Sequence, residues 1–510
     1  MLEDIFVCLP ISSGQTIPPF IPPKAGWRDK ESMADNILLS IIFVPVIGSM
    51  ALPFIGRISE RARNMASLAM VLVSLAGSAM LVPAVLSGQT ITILRPLPLG
   101  FNFAFTADML AVFMALVSSL VGAVIVLYSF GYISHYTNRN EYYLMVVLFL
   151  GSMMGIVFSA NLIFMYLFWE ITAIASWRLI GFFREPKHVL KADKAFLVTV
   201  FGSLVMLIGF IMIFQQTGSF DLAVIKKAFA NNPVSDVIVI LILFGILSKS
   251  ATLPFHTWLP DAGVAPSPVT ALLHAAVLVK IGVYVFARLF VATFTFSAVW
   301  HTALPWLAAL SALVSAGAAL IENDMKRIIA YSTVSQVGFI FLGFAIGSPI
   351  GVAGSLLFIL MHGLAKGGLF LCAGIVEQNA KTKDITEMGG FINKMPITAA
   401  AFLACAFSVM GVPPFGGFFS KFMVLASAAD SGQEWLAGTY IFIAVLTILY
   451  LFRIFNKIFL GNLQGSPEKE GSPVMVFSVA LLAVLSIIGG IFITYPSLLA
   501  QGAVKQMLGI

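Results

Sequence analysis

Long runs of apolar residues, with few polar positions and no strict alternation, repeat along most of this chain. Runs of this length without a two-residue period predict helices, because a bilayer admits only helices or closed barrels. The pattern gives fourteen spans: 36–55, 64–87, 106–132, 141–159, 161–183, 190–215, 235–260, 266–290, 301–321, 328–347, 350–376, 396–429, 435–460 and 473–495. The expected fold is an all-α polytopic membrane protein built as a single bundle. Its parts are a Pro-rich extension (1–34), three leading helices (35–135), two five-helix sets (141–290 and 301–460), and a last helix with its tail (473–510).

Polar positions inside the spans carry the chemistry. Glu170 lies near the middle of "NLIFMYLFWEITAIASWRLIGFF", too deep for its short side chain to reach water. Arg178, two turns on and close to a basic loop, reads as a snorkelling cation. Lys249 precedes Pro254 by five residues in "FGILSKSATLPFHTWLP", where the proline removes a backbone donor and interrupts the helix. In "GVPPFGGFFSKFMVL", Pro413 and Pro414 make a second break and Lys421 follows it. Breaks at membrane depth are tolerated where protein or water satisfies the freed backbone, which is why they line transport paths. Each five-helix set has its broken, lysine-bearing helix in fourth place. Five is odd, so the second set is expected upside down relative to the first, as an inverted repeat.

Four more titratable residues lie on spans 8 and 11. His274 and Lys280 are six residues apart, about 240° around a regular helix, and so are expected to face different neighbours. His362 and Lys366 share one face at i, i+4. The two histidines read equally well as satisfied core residues and as relay members, whereas a buried lysine is seldom structural. The role of His256, beside the first break, stays open. Burial disfavours an ammonium and a nearby carboxylate favours it, so approach or departure of Glu170 would make Lys249 take or release a proton. The expected relay is therefore Glu170, Lys249, His274, Lys280, His362, Lys366 and Lys421.

Composition narrows the class. The chain has 510 residues, 59% of them hydrophobic and 10% charged, outside the usage of water-soluble domains. Its formal charge of +6 is topological: loops after odd-numbered spans carry sixteen Lys and Arg and loops after even-numbered spans four, which puts both chain ends outside. Three tail cations, Lys24, Arg28 and Lys30, run against that asymmetry. Nothing in this balance calls for nucleic acid. Acids at Glu3 and Asp4 and the early Pro10 argue against a cleavable signal, and "TIPPFIPPKAGW" reads as an extended segment. Cys8, Cys372 and Cys405 are isolated, so no iron–sulfur or zinc site is expected, and neither a dinucleotide nor a nucleophile motif is found. No catalytic centre and no cofactor are expected in this chain. The readings in competition are a secondary transporter of organic anions, a non-pumping membrane anchor for a redox arm, and an ion-translocating subunit.

The segments "FWEITAIASWRLIGFF", "KADKAFLVT", "SKSATLPFHTWLPDAGVAPSPVTALLHAAVLVKIGVY", "DMKRIIAYSTVSQVGFI", "MHGLAKGGLFLCAG" and "GVPPFGGFFSKF" follow one another over residues 100–460. In that order they resemble the antiporter-like subunit family shared by respiratory complex I, Mrp sodium/proton antiporters and membrane-bound hydrogenases, with most likeness to the Mrp D-type subunit. The resemblance implies a fourteen-helix core with two inverted repeats. It implies that Glu170 and Lys249 are an acid–lysine pair, Lys280 a connecting lysine, and His274, His362 and Lys366 members of a central axis. Lys421 would be the terminal exchanging group. The family's "SY" is Ser176–Trp177 here, followed by Arg178. The implied partners are other membrane subunits in a cell membrane, protons, and sodium ions exchanged jointly with neighbours.

Overall fold

The computed structural model describes residues 25–98, 102–464 and 470–510. Cys8 and the Pro-rich stretch up to Lys24 lie outside the described residues, and helix begins at Ala25, inside the segment expected to be extended. The elements used below are α1 (Ala25–Gly48), α2 (Glu60–Leu86), β1 (Ile91–Pro96), β2 (Asn102–Ala107), α3 (Met109–Tyr132), α4 (Arg139–Phe158), α5 (Leu162–Ile180) and α6 (Pro186–Thr217). They continue with α7 (Asp236–Lys249), α8 (Ser267–Val291), α9 (Val299–Ile321), α10 (Met325–Ile346), α11 (Pro349–Ala380) and α12 (Pro396–Met410). The last four are α13 (Gly416–Asp430), α14 (Glu434–Phe459), α15 (Pro473–Ile491) and α16 (Thr494–Leu508).

Among the described residues, twelve helices are long and apolar enough to cross a membrane. The two expected spans missing from that set are the proline-broken ones, whose pieces α7, α12 and α13 have 14, 15 and 15 residues. Helix starts follow local chemistry. The side chains of Asp108, Asn161, Asp324 and Ser348 accept first-turn N–H groups of α3, α5, α10 and α11, and proline opens α6, α11 and α12.

Helices α3, α4, α8, α10 and α11 form the buried centre, whereas α1, α2, α6, α14 and α15 leave much of their apolar surface open. Leu197, Phe201, Leu204 and Ile208 make such an open stripe on α6. That surface suits lipid tails or apolar neighbours. At the centre α9 meets α10 through Gly338, where a Cβ would lie 2.7 Å from Ala312 Cβ and 2.9 Å from the Ala308 carbonyl oxygen.

The stretch from α5 to the end of α6 and the stretch from α10 to the end of α11 share two local features. α6 and α11 both have 32 residues, both start at proline, and both end on a left-handed residue, Gly218 and Lys381. A β-bridge joins Asn161 to Asp221 in the first set, and Asp324 to Asp384 at the same offset in the second.

Three further features depart from the sequence reading. Residues 91–96 and 102–107 form an antiparallel hairpin, so the third span starts at Met109, not at 106. The alternation there is too short to stand out beside long apolar runs. The expected tail folds as α16, and its Gln506 side chain accepts the Met109 N–H at 2.7 Å. Span 8 is no uniform helix, for π-turns occupy Leu272–Ala276 and Ala287–Val291.

Candidate functional site

The two breaks share one backbone design. α7 ends at Lys249, after which Ala251 is left-handed (φ 51°) and the Leu253–Pro254 bond is cis. α12 ends at Met410, Gly411 is left-handed (φ 82°) and the Pro413–Pro414 bond is cis. Thr252 N–H donates to the Leu247 carbonyl (2.9 Å) as Val412 N–H does to that of Phe407 (3.0 Å). Phe255 N–H donates to Thr252 (2.8 Å) as Phe415 N–H does to Val412 (3.0 Å). The Leu253 N–H, which helix would have used, is taken by Ser311 Oγ of α9 at 3.1 Å. Protein acceptors thus take these N–H groups at the two breaks.

In this register Val409 corresponds to Lys249. Lys421, carried on the opposite half-helix, donates to the Val409 carbonyl at 2.7 Å. Both sets therefore bring an ammonium to the same side of the break, one from the helix before it and one from the helix after.

Lys249 is fully buried. Its Nζ donates to the Trp169 carbonyl at 3.2 Å and lies 5.3 Å from the Trp169 ring centre, a cation–π approach. Glu170 is the next residue along, yet no ion pair within 4 Å joins the two. Glu170 is half-buried on the face of α5 that also shows Leu167 and Ile174, and its buried Oε1 has no hydrogen-bond partner.

The remaining relay candidates gather on α8, α10, α11 and α13. Lys280 Nζ and His362 Nδ1 are 2.7 Å apart, a bond that needs one of the two nitrogens unprotonated. Lys366 donates to Ser332 Oγ (2.6 Å) and to the Ile329 carbonyl (3.1 Å). Lys421 Nζ lies 4.5 Å from the Phe339 ring centre and 5.4 Å from that of Phe358, whose ring is 5.9 Å from His362. His274 packs on Phe370, ring centres 4.4 Å apart, and neither of its nitrogens has a partner. His274 and Lys280 thus both face α11, contrary to the different neighbours expected of a regular helix. The π-turn at Leu272–Ala276 contains His274 and alters the rotation between the two.

Several charged groups that read from sequence as loop or interface residues are paired. Lys326, counted as a loop cation, is buried and meets Glu377 at 2.8 Å, with Lys383 on the other carboxylate oxygen at 3.3 Å. Arg178, partly exposed in the last turn of α5, pairs with Glu141 in the first turn of α4, which also holds Arg184. Arg288 pairs with Asp108 just outside α3. Burial alone would raise the Asp108 carboxyl, but Arg288 beside it holds it below the usual carboxylate value. Lys194 and Arg327 each bond Asp261 at 2.7 Å, and with those bonds it too stays below its ordinary value despite burial. Apart from Lys383 and Glu377, no spacing rule marked these pairs, because their partners lie far apart in sequence. Among the described residues no group of three or more His, Cys, Asp or Glu converges as a metal site.

Residues 159–447 match the family model described as NADH:quinone oxidoreductase/Mrp antiporter, TM, and residues 96–143 match that of NADH-ubiquinone oxidoreductase (complex I), chain 5 N-terminus. The chain is 35% identical over 445 residues to the A-type subunit of the Na(+)/H(+) antiporter of Alkalihalophilus pseudofirmus, covering 80% of this chain and 54% of that protein. It thus spans about half the length of the curated relatives it matches. That relative is of the A type, where the sequence resemblance suggests the D type. Among solved structures, a chain of the Mrp complex from Dietzia sp. DQ12-45-1b aligns with a TM-score of 0.84 at 22% identity, over 94% of this chain and 98% of that one. A chain of the membrane-bound sulfane sulfur reductase, an archaeal respiratory membrane complex, aligns at 0.84 with 26% identity, over 92% and 98%.

Proposed function

Because the chain belongs to the NADH:quinone oxidoreductase/Mrp antiporter transmembrane family, we propose that it is an ion-translocating subunit of a multi-subunit membrane complex. On this reading it moves protons through Glu170, Lys249, His274, Lys280, His362, Lys366 and Lys421.

One observation carries the reading. Lys249, Lys280, Lys366 and Lys421 are all buried, and each meets a carbonyl, a hydroxyl or an imidazole and no carboxylate. A lysine kept for stability in an apolar interior is paired with an acid, as Lys326 is with Glu377. An amine with no carboxylate against it is not tied to its proton by an ion pair, which is what proton exchange requires.

The partner follows from Glu170. A carboxylate at mid-helix, half-open on an apolar face between Leu167 and Ile174, costs roughly 2.5–3.5 kcal/mol if it meets lipid. A neighbouring membrane subunit that covers this face and supplies a polar group removes that cost. The complex then sits in the cell membrane with both ends of this chain outside, and the two five-helix sets cross it in opposite senses. Sodium exchange, where it occurs, arises jointly with the neighbours, and the reading gives this chain no cofactor of its own.

The test is Lys249→Ala and Lys421→Ala in the intact complex, in sealed membrane vesicles. Proton movement should disappear while the complex still assembles. Unchanged pumping in both variants refutes the relay, and uptake of an organic anion by the vesicles favours a solute carrier instead.

A further inference from the structure

Lys366 and Lys421 meet the same helix at different heights. Lys366 bonds Ser332 Oγ and Lys421 lies over Phe339. Ser332, Gln336 and Phe339 are at i, i+4 and i+7 of α10, on one face, so the two contact points are about 10 Å apart along the helix. A single proton hop does not cover that distance, and something must stand between.

What stands there is a closed group of hydroxyls and one amide. Tyr450 of α14 donates to Ser332 Oγ at 2.8 Å and has a second acceptor, Thr447 Oγ1, at 3.3 Å. Gln336 Nε2 donates to Thr447 Oγ1 at 3.1 Å and to Tyr450 Oη at 3.5 Å. Gln336 is fully buried, and its Oε1 has no protein partner. A buried amide oxygen without a partner is costly to leave unbonded, and it seats a water where the site is polar.

We propose that Ser332, Tyr450 and Gln336 form the proton bridge between Lys366 and Lys421. The proposal rests on the relay reading above and adds its internal route. Once the Tyr450 hydroxyl has turned from Ser332 to Thr447, Ser332 Oγ takes a proton from Lys366 and passes its own to the lone pair that Tyr450 Oη then presents. Tyr450 passes its own to a water held on Gln336 Oε1, and that water gives one to the Lys421 amine. At each oxygen one O–H bond forms as one breaks, and no electrons are exchanged. The Tyr450 hydroxyl, with acceptors on either side, resets the bridge by turning between Ser332 and Thr447. Gln336 transfers no proton and acts as a positioning residue.

The experiment uses the full complex in sealed vesicles and compares Tyr450→Phe with Tyr440→Phe. Tyr440 is a buried tyrosine on the same helix, bonded to the Gly338 carbonyl at 2.9 Å and outside the bridge. Y450F should slow proton flux on the order of a hundredfold with assembly intact, and should change the solvent deuterium isotope effect on the remaining flux. Y440F should transport as the natural chain does. Gln336→Leu should lose flux, and Gln336→Glu, which keeps an acceptor oxygen, should recover part of it. Wild-type flux in Y450F, alongside an inactive Lys366→Ala, overturns the bridge and leaves the relay standing. Equal losses in Y450F and Y440F overturn it as well, since the effect is then one of packing. Full flux in Lys366→Ala overturns bridge and relay together.

Discussion

Gly417→Ala tests whether the second break must hold its two halves in register. A Cβ at Gly417 would lie 1.8 Å from the Ser408 carbonyl oxygen and 2.8 Å from its carbon. These are backbone atoms of α12, so no side chain can turn aside. Reaching the 3.4 Å of ordinary contact moves α13 by about 1.6 Å relative to α12. Lys421 sits one turn further along α13, and that displacement breaks its 2.7 Å bond to the Val409 carbonyl. Overpacking of this kind costs about 1–3 kcal/mol, which a large complex tolerates. The functional loss should be greater, because misplacing a reacting group by about 1 Å can lower a rate on the order of a hundredfold. The assay is proton uptake by vesicles containing the complex, paired with thermal unfolding of the purified complex. The control is Gly438→Ala, where nothing lies within 4 Å of the added Cβ, and its stability should change by less than about 1 kcal/mol. Wild-type uptake by G417A with an unshifted unfolding midpoint would refute the argument that this close approach positions Lys421.

Asp108→Asn should destabilise the protein by about 3 kcal/mol, because it leaves the Arg288 guanidinium buried without its carboxylate. The folded Asp108 carboxyl is held below its unfolded value, so its contribution is complete above the unfolded value and is lost as pH falls through the folded one. The stability gap between natural chain and variant, followed by thermal unfolding, should therefore be constant near neutrality and close below about pH 4; a gap unchanged at pH 3 contradicts this. Ser311→Ala strands the Leu253 N–H and should cost about 1 kcal/mol. Hydrogen exchange should be faster around Leu253 in that variant, and identical exchange would mean that the bond does not hold the break.

The sequence by itself determined that the molecule is an all-α membrane protein and the two places where its helices break. Hydropathy and proline act over a few residues, so "SKSATLPF" and "GVPPF" are legible without a fold. It also marked which ionisable groups lie inside apolar runs, since their position in the run is visible before any partner is known. The hairpin of β1 and β2 escaped because it is short, and α16 because its apolar character is modest beside the spans.

Which groups meet was settled only by tertiary structure. Lys249 finds the Trp169 carbonyl and not the Glu170 carboxylate, Lys280 finds His362, and Lys421 reaches back across its own break to Val409. Lys326 looked like a loop cation until Glu377 arrived from the far end of α11, and Tyr450 looked like any tyrosine of an apolar helix until α14 was set against α10. The physical reason is rotational. A turn of 100° per residue means that a helix's rotation about its own axis decides which side chain faces which neighbour. That rotation is fixed by packing against all the other helices at once, as the π-turn that brings both His274 and Lys280 to α11 shows.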